Sequence, residues 1–147
     1  MSHVARSGPF GFDLGPYGSF GLPGGVTTSL DAVGGTIKLA AANSSNTWVI
    51  NGAGSGTLDG NAFSSVTDLT GGTGADQFIF QPGGSVPGNV DGGGGLDTLN
   101  DSNLAGPITV NIQTAKAPAI GGTFANITGF VGSAGSDTLI GPDVPTV

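Results

Sequence analysis

The 147 residues include 30 glycines and nine prolines, no cysteine, and a net charge of −7. All ten acidic residues are aspartate and only Arg6, Lys38 and Lys116 are basic, so the chain lacks the clustered cations that nucleic acids and anionic membranes require. Missing cysteines exclude disulfides and thiolate metal sites, and no apolar run approaches the ~20 residues of a membrane helix.

The same counts point to a fold class. Glycine and aspartate favour turns, while glutamate, lysine and arginine, which build helix surfaces, are nearly absent. A hydrophobic fraction of 37 % beside 9 % charged residues separates the chain from disordered sequence, which pairs low hydrophobicity with many charges. A polar surface of Ser, Thr, Asn and Asp belongs to stacked strands. The prediction is an all-β chain.

In chain order, Met1 to Ser7 runs into Gly8-Pro9-Phe10-Gly11 rather than an apolar core, so no cleavable secretion signal is visible. Residues 1–42 read as a glycine- and aromatic-rich N-terminal segment, with Phe10, Phe12, Tyr17 and Phe20 among turn formers. It is either irregular or a cap over the end of a stack, and its best short strand is Thr36-Ile37-Lys38-Leu39. His3, the only histidine, sits there and supports neither a catalytic triad nor a zinc site.

Residues 43–147 repeat. The turns that begin at Asn51, Gly71, Gly92 and Gly132 align, with starts 20, 21 and 40 residues apart (71−51, 92−71, 132−92). The interval of 40 places a degenerate member near Asn111. Apolar segments precede the turns (Trp48-Val49-Ile50, Val66 to Leu69, Val90, Ile127 to Val131) and follow them (Leu58, Phe78-Ile79-Phe80, Leu99, Leu139-Ile140). Short strands joined by glycine turns at a fixed period predict a parallel β-solenoid, of β-helix or β-roll type, with about 20 residues per rung. Five such rungs would stack to roughly 24 Å.

The turns carry the chemistry. Gly71 to Ile79 and Gly92 to Asn100 match Gly-Gly-x-Gly-x-Asp-x-apolar-x in full, the nonapeptide of calcium-binding β-rolls. Gly132 to Ile140 lacks one glycine, and Asn51 to Asp59 lacks the first glycine and the aspartate. Glycines let such a turn curl with φ > 0, aspartate supplies an anionic oxygen, and calcium takes six to eight carboxylate and carbonyl oxygens. Stacked rungs would set Asp76 and Asp97 on one edge, with Asp137 two rungs further on.

On these turns the chain, from about Asn46 to Asp143, resembles the RTX-type (repeats-in-toxin, hemolysin-type) proteins and the tandem-repeat surface proteins of bacteria. The resemblance implies turns that coordinate Ca2+, which drives folding after secretion. It carries over to Gly71, Gly72, Gly74 and Asp76, to Gly92, Gly93, Gly95 and Asp97, and to Gly132, Gly135 and Asp137. In that family the nonapeptides run uninterrupted; here other strands separate them. The expected role is a structural or adhesive repeat segment of a large extracellular or cell-surface bacterial protein. Its partners would be neighbouring repeats of the same chain and a cell-surface or polysaccharide ligand, without nucleic acid or membrane insertion.

Two other readings compete. The turns can be ion-free corners of a spacer, with aspartates bonding their own backbone as Asx-turns. Alternatively, parallel β-helices can cleave polysaccharides with two carboxylates about 5–10 Å apart, for which Asp59 with Asp101, or Asp68 with Asp91, are candidates. No cluster of aromatic and basic residues accompanies those pairs, and Lys38 and Lys116 stand alone, so the chain is not read as an enzyme. Trp48 opens a strand and reads as core.

Overall fold

The computed structural model describes residues 36–142 in full and, before them, only the backbone of five short strands within residues 2–33. The side chains of His3 and the N-terminal aromatics lie outside the described residues. Those early strands are β1 (Ser2–Val4), β2 (Ser7–Gly8), β3 (Gly11–Asp13), β4 (Ser19–Phe20) and β5 (Ser29–Val33). Strands β2, β3 and β4 form a small antiparallel sheet.

Among the described residues there is no helix, and the chain winds into a parallel β-solenoid of about three turns. One face stacks β6 (Thr36–Ala40), β10 (Asp68–Thr70), β12 (Val90–Asp91) and β15 (Phe124–Ala125) in parallel. The next stacks β7 (Thr47–Gly52), β11 (Gln77–Phe80), β13 (Thr98–Asn100) and β16 (Gly129–Val131). A looser third face holds the parallel bridges Ala53 to Ser85 and Val86 to Ile120, and the pair β14 (Thr109–Asn111) with β17 (Thr138–Ile140).

Alternation decides which side chains enter. Ile37 and Leu39 of β6, Trp48 and Ile50 of β7, and Phe78 and Phe80 of β11 are buried, with more exposed residues between them. This is the period of two that a strand with one buried face requires. Register then builds columns: Leu39, Leu69, Val90 and Phe124 on one face, and Trp48, Phe78, Leu99 and Phe130 on the other. Trp48 stacks on Phe78 at 5.7 Å and meets Phe63 edge-on at 5.8 Å. No coil could bury these side chains alone; each covers the next.

The coils are unequal. Gln77 pairs with Thr98 after 21 residues, but with Thr47 after 30, and Thr98 pairs with Gly129 after 31. A rung near 20 residues is thus the minimal coil, and the others carry insertions. The first insertion corrects the alignment at Asn51: Gly52-Ala53-Gly54 is no solenoid corner but the bend of a hairpin. There β8 (Ser55–Leu58) folds back antiparallel on β7, and β9 (Asn61–Phe63) pairs with β8. The second insertion falls in the third coil. Asn111 does not open a degenerate corner; it bridges to Lys116 and closes a tight loop on the third face.

The two ends differ. At the first coil, β5 and β8 run antiparallel to β6 and β7 and cover their outer edges. At the last, β16 and β17 are edge strands, and Val131, Leu139 and Ile140 are exposed.

Candidate metal centre at the glycine-aspartate corner

The corner between the first two faces repeats in successive coils as Ala41 to Asn46, Gly71 to Asp76 and Gly92 to Asp97. Its last position holds Asn46, Asp76, Asp97 and then Thr128. Each aspartate reaches back one coil. Asp76 Oδ1 accepts from the Asn46 backbone N–H at 2.8 Å, and Asp97 Oδ1 accepts from the Asp76 N–H at 2.8 Å. The aspartates therefore bond the neighbouring coil rather than their own turn, unlike Asx-turns. Both side chains are fully buried.

The glycines have separable duties. A Cβ on Gly71 would fall within 3.0 Å of the Asp76 carboxylate, and one on Gly92 would meet Asp97 in the same way. The first glycine of each turn thus leaves the space its own aspartate fills. Gly72, Gly93 and Gly95 have φ of 114°, 86° and 103°, a region that L side chains rarely adopt. Added Cβ atoms at Gly72, Gly74, Gly93 and Gly95 would also strike the backbone of the preceding turn. These turns stack main chain on main chain.

That stacking leaves a charge problem. Asp76 Oδ2 and Asp97 Oδ2 are buried without a hydrogen-bond partner. Asp76 Oδ2 and the Gly92 carbonyl oxygen both lie within 2.5 Å of the point a Gly71 Cβ would occupy. Asp97 Oδ2 and the Asn126 carbonyl oxygen flank the matching point at Gly92 in the same way. At both steps a carboxylate oxygen and a carbonyl oxygen border the same glycine, and an unpaired buried acceptor is costly. Burial pushes the Asp76 carboxyl above its usual range, against hydrogen bonds from Asn46 that pull it down, and neighbouring Asp97 adds to the upward push.

Buried carboxylates beside backbone carbonyls from the next coil are the donor kind calcium takes. Asp76 with the Gly92 carbonyl, and Asp97 with the Asn126 carbonyl, fit a cation that would supply the missing positive charge. No group of three or more His, Cys, Asp or Glu side chains converges among the described residues; most oxygens at such a site would be main-chain ones.

The third predicted turn lies elsewhere. Asp137 follows β16 and precedes β17, at the corner between the second and third faces, so it does not continue the column of Asp76 and Asp97. The long third coil shifts it there. Its local chemistry is nonetheless alike: a Cβ on Gly132 would strike the Asp137 carboxylate, and Asp137 Oδ1 accepts from the Ile108 N–H of the preceding coil at 2.9 Å. A Cβ on Gly135 would meet Pro107. Asp137 is exposed, and the bonds from Ile108 N–H and the Ser133 hydroxyl hold its carboxyl below the usual range.

The true fourth member of the first corner is Asn126-Ile127-Thr128, where Thr128 N–H donates to the Asp97 carbonyl. It has no glycine and half the length. The true first member, Ala41 to Asn46, also lacks glycine. Its signal was Asn46-Thr47-Trp48, the same spacing from amide or acid to buried apolar residue as Asp76-Gln77-Phe78.

Of the carboxylates considered for glycoside cleavage, three are hydrogen-bonded into the scaffold. Asp59 accepts from the Thr47 N–H, Asp68 from the Asn89 N–H, and Asp91 from the Gly93 N–H and the Asn126 carboxamide. Asp101 is buried, and burial lifts its carboxyl to about 6 with Asp137 adding to the rise. A surface groove between Pro82–Ser85, Leu104–Thr109 and Pro118–Ala119 has no titratable side chain in its lining. No protein family, curated protein or solved structure matches this chain.

Proposed function

We propose that this chain is a structural repeat segment of an extracellular or cell-surface bacterial protein, a stiff solenoid whose coils calcium locks at the Asp76 and Asp97 corner. The observation that carries this reading is the pair of buried, unpartnered carboxylate oxygens on adjacent coils, each beside a glycine that a main-chain carbonyl oxygen of the next coil also borders. The resemblance to RTX-type and tandem-repeat surface proteins, carried by the same glycine-aspartate turns, points the same way. An adhesive or spacer role is what that resemblance implies for a solenoid whose outward strand positions include Lys38, Thr47, Gln77 and Thr98. The exposed edges of β16 and β17 offer parallel pairing to a neighbouring repeat. A cell-surface or polysaccharide ligand would meet the polar faces.

Calcium sites of extracellular modules bind at roughly 10⁻⁴–10⁻³ M, so such a lock would close outside a cell and open inside it. At free calcium twenty times the dissociation constant each site would add about 1.8 kcal/mol. The test is thermal melting of the whole chain in ~5 mM calcium, on the scale of those affinities, and in chelator. Wild type should melt higher in calcium, and Asp76→Ala with Asp97→Ala should lose that gain; an equal gain in the double variant would refute the site. Equal melting of wild type in both conditions would favour the second reading, an ion-free spacer. Its specific support is that both Oδ1 atoms are already satisfied by backbone N–H groups.

A further inference from the structure

We propose that Asn46 is a built-in substitute for a cation, its carboxamide fastening the first coil corner to the second so that this step holds without an ion. Four oxygens converge on Asn46 Nδ2: the Ala42 carbonyl at 3.0 Å, the Ser44 carbonyl at 2.6 Å, the Gly71 carbonyl at 2.9 Å and Asp76 Oδ1 at 2.7 Å. An amide nitrogen has two hydrogens, so these acceptors share them, two from each coil. The surroundings are those of a small cation, with positive hydrogens at the centre of an oxygen shell. Asn46 is 2 % exposed, which keeps water from taking its place.

The next step up repeats the shell and changes its centre. Register sets Asp76 over Asn46 and Asp97 over Asp76. The glycine contacts likewise align Gly72 with Ala42 and Gly74 with Ser44. The counterparts of the four oxygens are therefore those of Gly72, Gly74, Gly92 and Asp97. Where Asn46 presents an N–H donor, Asp76 presents Oδ2, buried and without a partner. Register thus places the same kinds of oxygen around one position in two consecutive coils, closed by an amide in the first. In the second the Gly72 carbonyl accepts from the Gly94 N–H and Asp97 Oδ1 from the Asp76 N–H, while Asp76 Oδ2 is left without a donor. The first step is a fixed anchor, and later coils are conditional on the ion. The anchor stands on hydrogen bonds alone; the conditional half rests on the calcium reading above.

The test compares wild type, Asn46→Asp, Asn46→Ala and Asp76→Asn as whole chains, melted with calcium and with chelator. In chelator Asn46→Asp should melt about 5 °C or more below wild type, and lower than Asn46→Ala, because a buried charge replaces a donor. Calcium should rescue Asn46→Asp but not Asn46→Ala. Asp76→Asn, which restores a donor at the second shell, should melt above wild type in chelator. If Asn46→Asp melts no lower than Asn46→Ala, or Asp76→Asn gains nothing, the inference is overturned. If those chelator shifts appear while no variant responds to calcium, the anchor stands and the calcium reading fails.

Discussion

Replacing single glycines by alanine separates the two reasons glycine is used here. Gly83 has φ of 84° with nothing within 4 Å of an added Cβ, so Gly83→Ala meets only the left-handed backbone penalty of roughly 1–2 kcal/mol. Gly74 has no positive φ, yet its Cβ would lie closer than 3.0 Å to the carbonyl of Ser44 and the nitrogen of Ser45. Both are backbone atoms and cannot swing aside. Relief requires separating two coils beside the Gln77 N–H to Asn46 carbonyl bond of 2.9 Å, so Gly74→Ala should cost at least the ~3 kcal/mol at the upper end of ordinary overpacking. Gly93 combines φ of 86° with a clash against Gly72, and Gly93→Ala should cost about 4 kcal/mol or more. Gly141, with open space around it, is the neutral control. Urea unfolding of the four variants in chelator reads these differences directly. If Gly74→Ala is no worse than Gly83→Ala, the backbone-on-backbone stacking is wrong.

Stability should rise on acidification before it falls. A carboxyl whose folded pKa exceeds its unfolded one holds extra protons in the folded state, so its contribution is lost as pH rises between about 4 and 6, the window set by Asp101. Lowering the pH from 7.5 to 5 in chelator should raise the melting temperature, with Asp101 supplying about 1.4 kcal/mol over that interval. Asp101→Asn should remove that share of the rise and leave the part due to Asp76, also raised by burial; a melting temperature that falls steadily over this range would count against a buried Asp101. Asp137, held low, should add destabilisation only in stronger acid, as its stabilised carboxylate is protonated. In the core, Trp48 is fully buried against Phe78, and Trp48→Ala should cost about 3–5 kcal/mol in chemical unfolding. Trp48→Phe should cost much less, because Trp48 Nε1 is buried without an acceptor and its removal offsets part of the lost area.

The sequence revealed the solenoid because the shortest coil, from Gly71 to Asp91, is bounded by two complete motifs, and flanking residues such as Phe78 and Leu99 show the strand period. The pairing of Asp76 with Asp97 was legible for the same reason. What glycine content could not reveal was direction: Gly52-Ala53-Gly54 reverses the chain into a hairpin, whereas Gly71-Gly72-Thr73-Gly74 turns a corner, and both are glycine-rich. Nor could the motif say which corner it turned. Gly132 to Asp137 forms the same local turn as the others, and only the loop from Asp101 to Thr123 moves it to another face. The corners at Ala41 to Asn46 and Asn126 to Thr128 were missed because their close contacts are made without glycine. Asn46 was hidden for a chemical reason. A search for anionic ligands passes over an amide, although the amide occupies the equivalent position and supplies the donor that Asp76 lacks.

Hydrogen exchange at single-amide resolution, with calcium and with chelator, tests the central claim most directly. The Asn46 and Asp76 amides donate to buried carboxylates of the following coil, so both should exchange at the slow rate of global opening. Calcium should slow Asp76 further while leaving Ile108, bound to exposed Asp137, little changed. An Asp76 amide that exchanges as fast as an exposed loop in both conditions would contradict the aspartate-locked corner.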